Sequence, residues 1–354
     1  MKTINTIADL QQLVLAGVSD WKQFGRVNVR ENGNLLLFNY TQEAQFGGDW
    51  NAFEIMSRGL IINRETGEIV ARPFDKFWNW LEGGRKAHGH IVTVIEKLDG
   101  SLGIFYRDSG EYKIATRGSF NSEQAIWATN FLREHYNPAV PDELTLLFEI
   151  IYHENRVVVD YGDRQDLFLL AARNRFTGEY LPFFPDVVEL AEYNALPLPK
   201  VYQFNNIDSI LEMTGVIGPD QEGWVVEFSD NSRWKIKGDQ YRELHRLITG
   251  LSFKWVLEAV VSGNIQSAFE TLPDEFLGQA KQWYAEIQDH FDQVKEGCEQ
   301  AFSCAPAGAT RKEFALWVME NYKPLSSYLF AMLDGRPIDL MIYQTAFKDV
   351  KETN

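Results

Sequence analysis

Strand-like and helix-like patterns occupy different parts of this chain. Their order predicts an α+β fold: a domain built on antiparallel sheets over residues 1–243, then an all-helical C-terminal domain over residues 244–354. Three observations carry that expectation. Up to about residue 237, short apolar or β-branched runs alternate with Asn-Gly, Asp-Gly and Thr-Gly turns, as hairpins do. From about Arg242 the period changes: Phe276, Ala280, Trp283, Ile287, Phe291, Val294 and Cys298 recur at steps of three and four, one long amphipathic helix. Neither a low-complexity linker nor an internal repeat interrupts the two patterns.

In chain order, Leu10, Leu13, Val14 and Val18 predict a helix over residues 7–18. From Val27 the period is two, and Glu31-Asn32-Gly33-Asn34 turns the chain into Leu35–Phe38. Arg58–Ile62 and Ile69–Ala71 flank the turn Glu65-Thr66-Gly67-Glu68. An aromatic-rich stretch, Arg72–Trp80, surrounds Lys76. Strands are expected at 91–95, 102–106, 112–116, 144–151, 157–161 and 167–172, with a helix over 121–136. Residues 184–213 read as a helix, a Pro-rich crossing and a second helix, and strands at 223–228 and 232–237 close this half. Shorter helical patterns run through 255–261, 311–321 and 327–333.

At 354 residues the chain can bury a sizeable core, and its 45% hydrophobic and 24% charged content is that of a globular protein. No apolar run reaches membrane-spanning length, and the N-terminus has no signal-peptide pattern, so no membrane partner is expected. Two cysteines, Cys298 and Cys304, make neither a disulfide framework nor a four-cysteine zinc site; they suit a reducing cytoplasm, the expected location. A formal charge of −16 excludes an indiscriminate nucleic-acid coat protein and confines any phosphate contact to local patches. The tail, with nine Lys and Arg against fifteen Asp and Glu after residue 247, is a poor nonspecific RNA clamp. A monomer is the expected state.

Chemistry concentrates on Glu96-Lys97-Leu98-Asp99-Gly100-Ser101, a lysine on a glycine turn between two strand-like runs. A lysine at the end of a buried strand can become a nucleophile if its environment favours the neutral amine. Other charges also interrupt apolar strands: Glu149 within Leu146–Ile151, Glu222 before Gly223-Trp224-Val225-Val226, and Lys235 and Lys237 around Ile236. Such groups are costly to bury unless paired or bound to a ligand. Lys235 and Lys237, two apart on a strand, share a face. Clustered amines with nearby carboxylates suit phosphoryl or nucleotidyl transfer, although buried salt bridges would show the same residues.

Taken in order, these segments resemble the covalent nucleotidyltransferases, most closely the ATP-dependent RNA ligases of the phage T4 RNA ligase 1 type. Lys97-Leu98-Asp99-Gly100 resembles the Lys-x-Asp-Gly motif I, and Thr116-Arg117-Gly118-Ser119 is similar to the next box, with arginine at the usual lysine. Phe148-Glu149 resembles motif III, Leu169–Arg173 with Thr177–Tyr180 motif IIIa, Glu222–Val225 motif IV, and Lys235-Ile236-Lys237 motif V. Upstream, Ser57-Arg58-Gly59 and Lys76-Phe77-Trp78-Asn79 resemble elements that narrow the likeness to this ligase group. It covers roughly residues 35–245.

The resemblance implies that the Lys97 amine attacks the α-phosphorus of ATP, that AMP passes to an RNA 5′-phosphate, and that an RNA 3′-hydroxyl then displaces AMP, in repair of RNA such as tRNA. It further implies roles for Lys235 and Lys237 at the α-phosphate, and for Glu149 at the ribose. Leu170 and Val225 would sandwich the purine; Glu96, Asp99 and Gly100 belong to the nucleotide-binding turn. Glu222 and Asp99 would position water on Mg²⁺ or Mn²⁺. Arg58, Lys76 and Arg117 would hold pyrophosphate oxygens or the RNA 5′-phosphate as cationic clamps. Two other readings stay open on sequence: a DNA ligase or GTP-using capping-type enzyme, and a non-catalytic RNA-end-binding protein. The helical pattern after motif V, where those enzymes continue into a β-barrel, counts against the first.

Overall fold

The period-two runs of the first half pair into three sheets. The computed structural model describes residues 3–248, 250–270, 272 and 274–350 and falls into two compact units, Met1–His245 and Arg246–Asn354. Helix α1 (Ile7–Leu15) begins at a Thr6–Asp9 capping box, which satisfies N–H groups that a helix start leaves open. It buries Leu10 and Val14 in a cluster with Trp21, Phe38, Phe53, Leu60 and Ile62. The first sheet is a meander of β1 (Val27–Asn32), β2 (Leu35–Tyr40), β3 (Arg58–Asn63) and β4 (Ile69–Ala71), in that order and antiparallel throughout. Between β2 and β3 lie two short helices, α2 (Gln42–Gly47) and α3 (Ala52–Met56), too short to show an apolar period. The buried Glu54 of α3 caps its own helix start and accepts from Arg26 Nε at 2.8 Å.

The remaining strands of this unit are β5 (Trp78–Asn79), β6 (Ile91–Lys97), β7 (Ser101–Asp108), β8 (Glu111–Thr116), β9 (Leu144–Ile151), β10 (Asp166–Asn174), β11 (Val201–Tyr202), β12 (Gly223–Phe228) and β13 (Arg233–Lys237). Helix α4 (Glu123–His135) follows β8, α5 (Val188–Tyr193) follows β10, and α6 (Ile207–Met213) precedes β12. One sheet has the order β10-β9-β7-β8 and the other β11-β6-β12-β13-β5, the last pair parallel. Strand β6 therefore belongs to one sheet and β7 to the other. The chain crosses between them at Leu98-Asp99-Gly100, immediately after Lys97. Only glycine fits at position 100: a Cβ there would lie 2.5 Å from the Ile150 carbonyl oxygen.

Two expectations change. Residues 157–161 are not a strand; the N–H groups of Val158 and Val159 both donate to Asp99 Oδ2 at 2.8 Å instead of to a ladder. The crossing within 184–213 contains the two-residue strand β11, and its first helix opens with a π-helical turn, Phe183–Val187, before the α-helical Val188–Tyr193.

Helix α7 (Asp239–Ile248) follows β13, its last residues belonging to the second unit. That unit is all helix: α8 (Phe253–Val261), α9 (Ile265–Glu270), α10 (Asp274–Ser303), α11 (Arg311–Asn321), α12 (Ser326–Leu333) and α13 (Asp339–Val350). The long α10 is the spine against which α8, α12 and α13 pack. Cys298 on its inner face is buried with Tyr328, Ala331, Ile338 and Ile342, a packing role for the thiol. Among the described residues no helix is long and apolar enough to cross a membrane.

The register of β12 sets where the charged residues meet. Gly223 stands opposite Lys97 on β6 and Lys237 on β13, at φ +143°, and a Cβ would lie 2.0 Å from the Ile236 carbonyl oxygen. Gly223→Ala is expected to cost at least about 3 kcal/mol and to lower the melting temperature of this unit by roughly 6–12 °C, read by thermal unfolding.

Candidate active site

Alternation along three neighbouring strands builds the floor of the site. Opposed across β6, β12 and β13 stand Lys97, Gly223 and Lys237; then Ile95, Val225 and Lys235; then Thr93, Glu227 and Arg233. Residues two apart on a strand share a face, so these three rows form one surface. Most of it lines a cavity of ≈ 520 Å³, whose other walls include Arg58, Phe74, Phe77, Arg117, Glu149 and Leu170. Glu96 and Gly100 also line it; Lys76, Asp99, Glu222 and Lys237 do not.

Glu222 is the electrostatic centre. Its carboxylate, 2% exposed, accepts from Lys97 Nζ at 2.7 Å on Oε2 and from Lys237 Nζ at 2.9 Å on Oε1. Burial pushes this carboxyl up, but Lys237 and Lys97 outweigh it and hold the group below its ordinary range. One carboxylate thus faces two ammonium groups beside the nucleophile turn.

Glu149 behaves in the opposite way. It accepts from the Gly100 N–H at 3.0 Å, and burial raises its carboxyl to about 7; Lys97 lowers it, while Glu222 and Asp99 add to the rise. The Asp99 carboxylate is fully engaged. Oδ2 takes the Val158 and Val159 N–H groups, Oδ1 takes the Tyr241 hydroxyl at 2.8 Å, and the Asp99 N–H donates to Tyr161 Oη at 2.8 Å. Ser101 Oγ donates to Asn155 at 3.0 Å, so each residue from 99 to 101 is tethered.

The remaining expected cations lie on aromatic faces. Arg58 and Lys235 lie over the Phe77 ring, 5.4 and 5.0 Å from its centroid, and Lys76 and Arg117 over Tyr40, at 5.9 and 5.1 Å. Arg117 also donates to Tyr40 Oη at 3.1 Å. Lys76, only 3% exposed, sits 5.1 Å from the Trp50 centroid as well. Buried Nη1 of Arg58 has no hydrogen-bond partner among the described residues, a donor open to an anion. Next to this cluster Gly59, at φ +94°, lets β3 approach the backbone of Arg117.

Sequence reasoning missed Thr93, Glu227 and Arg233, the row farthest from Lys97. Arg233 donates to Glu227 at 2.7 Å and stacks 3.8 Å from the Tyr180 centroid. Its spacing was a usable signal, since Arg233 continues the alternation of Lys235 and Lys237.

A family model described as RNA ligase, of the T4 RNA ligase 1 class, matches residues 56–241, more than half of the chain and all of the residues just described except Tyr40 and Trp50. The chain belongs to the RNA ligase family. It is 29% identical over 259 residues to a baculovirus protein of Autographa californica nuclear polyhedrosis virus, described as a bifunctional polynucleotide kinase/RNA ligase. That match takes in 63% of this chain but only 36% of the viral protein. An RNA ligase of Rhodothermus phage RM378 is 24% identical over 386 residues, 86% of each chain. Among solved structures, a Naegleria gruberi RNA ligase with PPi superposes with a TM-score of 0.36 at 20% identity, over 45% of this chain and 52% of that one.

In this RNA ligase chain the raised Glu149 carboxyl gives a pH signature. Because its value when folded, about 7, exceeds 4.5, the folded state takes up a proton in that window and stability falls as pH rises from about 4.5 to about 7. Glu149→Gln removes this titration. Relative to wild type, the variant should gain on the order of 2 kcal/mol between pH 4.5 and pH 8, measured by denaturant unfolding at both pH values.

Proposed function

We propose that this chain is an ATP-dependent RNA ligase that joins RNA 5′-phosphate and 3′-hydroxyl ends through AMP carried on Lys97. The observation that carries the reading is that Lys97 lines one cavity with Arg58, Arg117 and Lys235 and shares one buried carboxylate with Lys237. Helices rather than a barrel follow β13, which favours RNA ligase over the DNA-ligase and capping-type readings.

In the first step the Lys97 ammonium loses a proton to solvent, and Nζ attacks the α-phosphorus. The N–P bond forms, the bond to the bridging oxygen breaks, and pyrophosphate leaves. Glu222 orients the amine, while Lys237 and Lys235 stabilise charge developing on the α-phosphate. Arg58 and Arg117 hold the departing pyrophosphate oxygens; Lys76, set behind them in its aromatic cage, adds to the local positive field. Leu170 and Val225 sandwich the purine and Glu149 meets the ribose. An RNA 5′-phosphate oxygen then attacks the same phosphorus and Lys97 leaves as the amine. Finally an RNA 3′-hydroxyl attacks that 5′-phosphate and AMP departs, sealing a broken RNA such as a cleaved tRNA.

A divalent cation bound at this site would supply charge neutralisation on the ATP phosphates. Among the described residues no three His, Cys, Asp or Glu side chains cluster to hold one directly. Glu222, engaged by both lysines, would meet the ion through water. Asp99, expected to share that duty, has both oxygens occupied by the chain and takes a structural part.

The test is incubation with α-labelled ATP and Mg²⁺ followed by a denaturing gel. Wild type should retain covalent label and Lys97→Ala none, with labelling slowed about 10²–10³-fold in Lys237→Ala and Glu222→Ala. An unlabelled wild type, or equal label on Lys97→Ala, overturns the reading. Label chased into RNA bearing a 5′-phosphate, but not into 5′-hydroxyl RNA, is the expected second step.

A further inference from the structure

The nucleophile turn and Lys237 meet at one buried side chain that the catalytic reading does not use. We infer that Tyr241 is a positioning residue which holds the Lys97 turn in register with Lys237; the inference rests on the assignment of Lys97 as nucleophile. Tyr241 is 1% exposed. Its hydroxyl donates to Asp99 Oδ1 at 2.8 Å, and its ring lies under Lys237, with Nζ 5.4 Å from the centroid. The same ring packs against Val158 and Val159, whose N–H groups occupy the other oxygen of Asp99.

These contacts close a circuit. Lys97 binds Glu222, Glu222 binds Lys237, Lys237 rests on Tyr241, Tyr241 binds Asp99, and Asp99 is two residues along the chain from Lys97. Its ionic half fixes the two amines relative to each other. The phenol half fixes the backbone that carries the attacking amine. Asp99 sits where the chain crosses from one sheet to the other, where no ladder partner holds the backbone. Remove the hydroxyl and one oxygen of a buried carboxylate loses its donor, so the turn is free to shift toward another. A shift of about 1 Å in a reacting group is enough to slow a reaction about 10²-fold.

Tyr241→Phe keeps the ring under Lys237 and deletes only the hydrogen bond. Single-turnover lysyl-AMP formation should slow about 10–100-fold at saturating ATP, with the half-saturating ATP concentration changed less than about threefold. Asp99→Asn should slow the same step. The double variant should be no slower than the slower single one, because both break one contact. Tyr241→Leu, which also removes the aromatic face from Lys237, should be slower than Tyr241→Phe. All rates are read well below each variant's melting temperature, with Tyr106→Phe, at a buried tyrosine on β7, as the control expected to keep the wild-type rate. A wild-type rate in Tyr241→Phe, or multiplying effects in the double variant, overturns the positioning role while Lys97-dependent labelling persists. Wild-type label that survives Lys97→Ala overturns the assignment beneath it instead.

Discussion

Glu222 is a carboxylate removed from water and held between two ammonium groups, and the placement of the site depends on it. A buried charge of this kind is tolerated only while its partners stay in place. Each partner must therefore arrive at a fixed point: Lys97 from the last residue of β6, Lys237 from the last residue of β13, Glu222 from the residue before β12. Gly223 makes the convergence possible, since only a residue without a side chain lets β12 lie this close to the Ile236–Lys237 backbone. The arrangement is stabilising for the carboxylate and fixes Lys97, which lines the cavity, relative to Lys237. An α-phosphate entering there meets a centre that is organised before it arrives, so little reorganisation is needed as charge develops.

The other cations solve a related problem in a different way. The chain carries a net charge of −16, so a phosphate-binding patch must be protected from the acidic background. An aromatic face also steadies a cation that lies over it. Phe77 serves Arg58 and Lys235, and Tyr40 serves Lys76 and Arg117, so two rings lie against four cations. Of the aromatic-rich stretch around Lys76, Phe77 lies under Arg58 and Lys235. Its lysine is not a surface chain covering apolar area but a buried charge against Trp50 and Tyr40.

Much of this was legible in the order of residues, for a physical reason. Strand alternation puts Lys235 and Lys237 on one face whatever the rest of the chain does, and a charge inside an apolar run, as at Glu149 or Glu222, has to be explained by a partner. What was not legible depends on pairings between distant segments. The two-residue strand β5 exists because Trp78 and Asn79 lie in parallel register with Trp234 and Lys235, which no local pattern announces. Residues 157–161 look like a strand because valines favour extended backbone, yet Asp99 claims two of their N–H groups and they remain a loop. The same hidden contact ties the Asp99 carboxylate to the 157–161 loop. Helices α2 and α3 escaped because a helix of five or six residues shows too little of its period.

The employment of Asp99 also suggests why a rigid turn suits a lysine nucleophile. In the proposed cycle the same amine first attacks phosphorus and later departs from it, so one backbone position must serve two opposite displacements. A turn that moved with each ligand would have to be reordered at every step. Here Asp99, Gly100 and Ser101 are each fixed by a side-chain partner, and the four-carbon stem of Lys97 supplies the only freedom the chemistry requires. Adaptability is kept in the side chain, where rotamer changes are small and fast, and excluded from the backbone, where they would alter the spacing of Glu222 and Lys237 as well. By this logic the Asp-Gly pair following the lysine need not touch the nucleotide to be indispensable: the aspartate collects hydrogen bonds and the glycine clears Ile150, and together they hold the turn at the junction of two sheets.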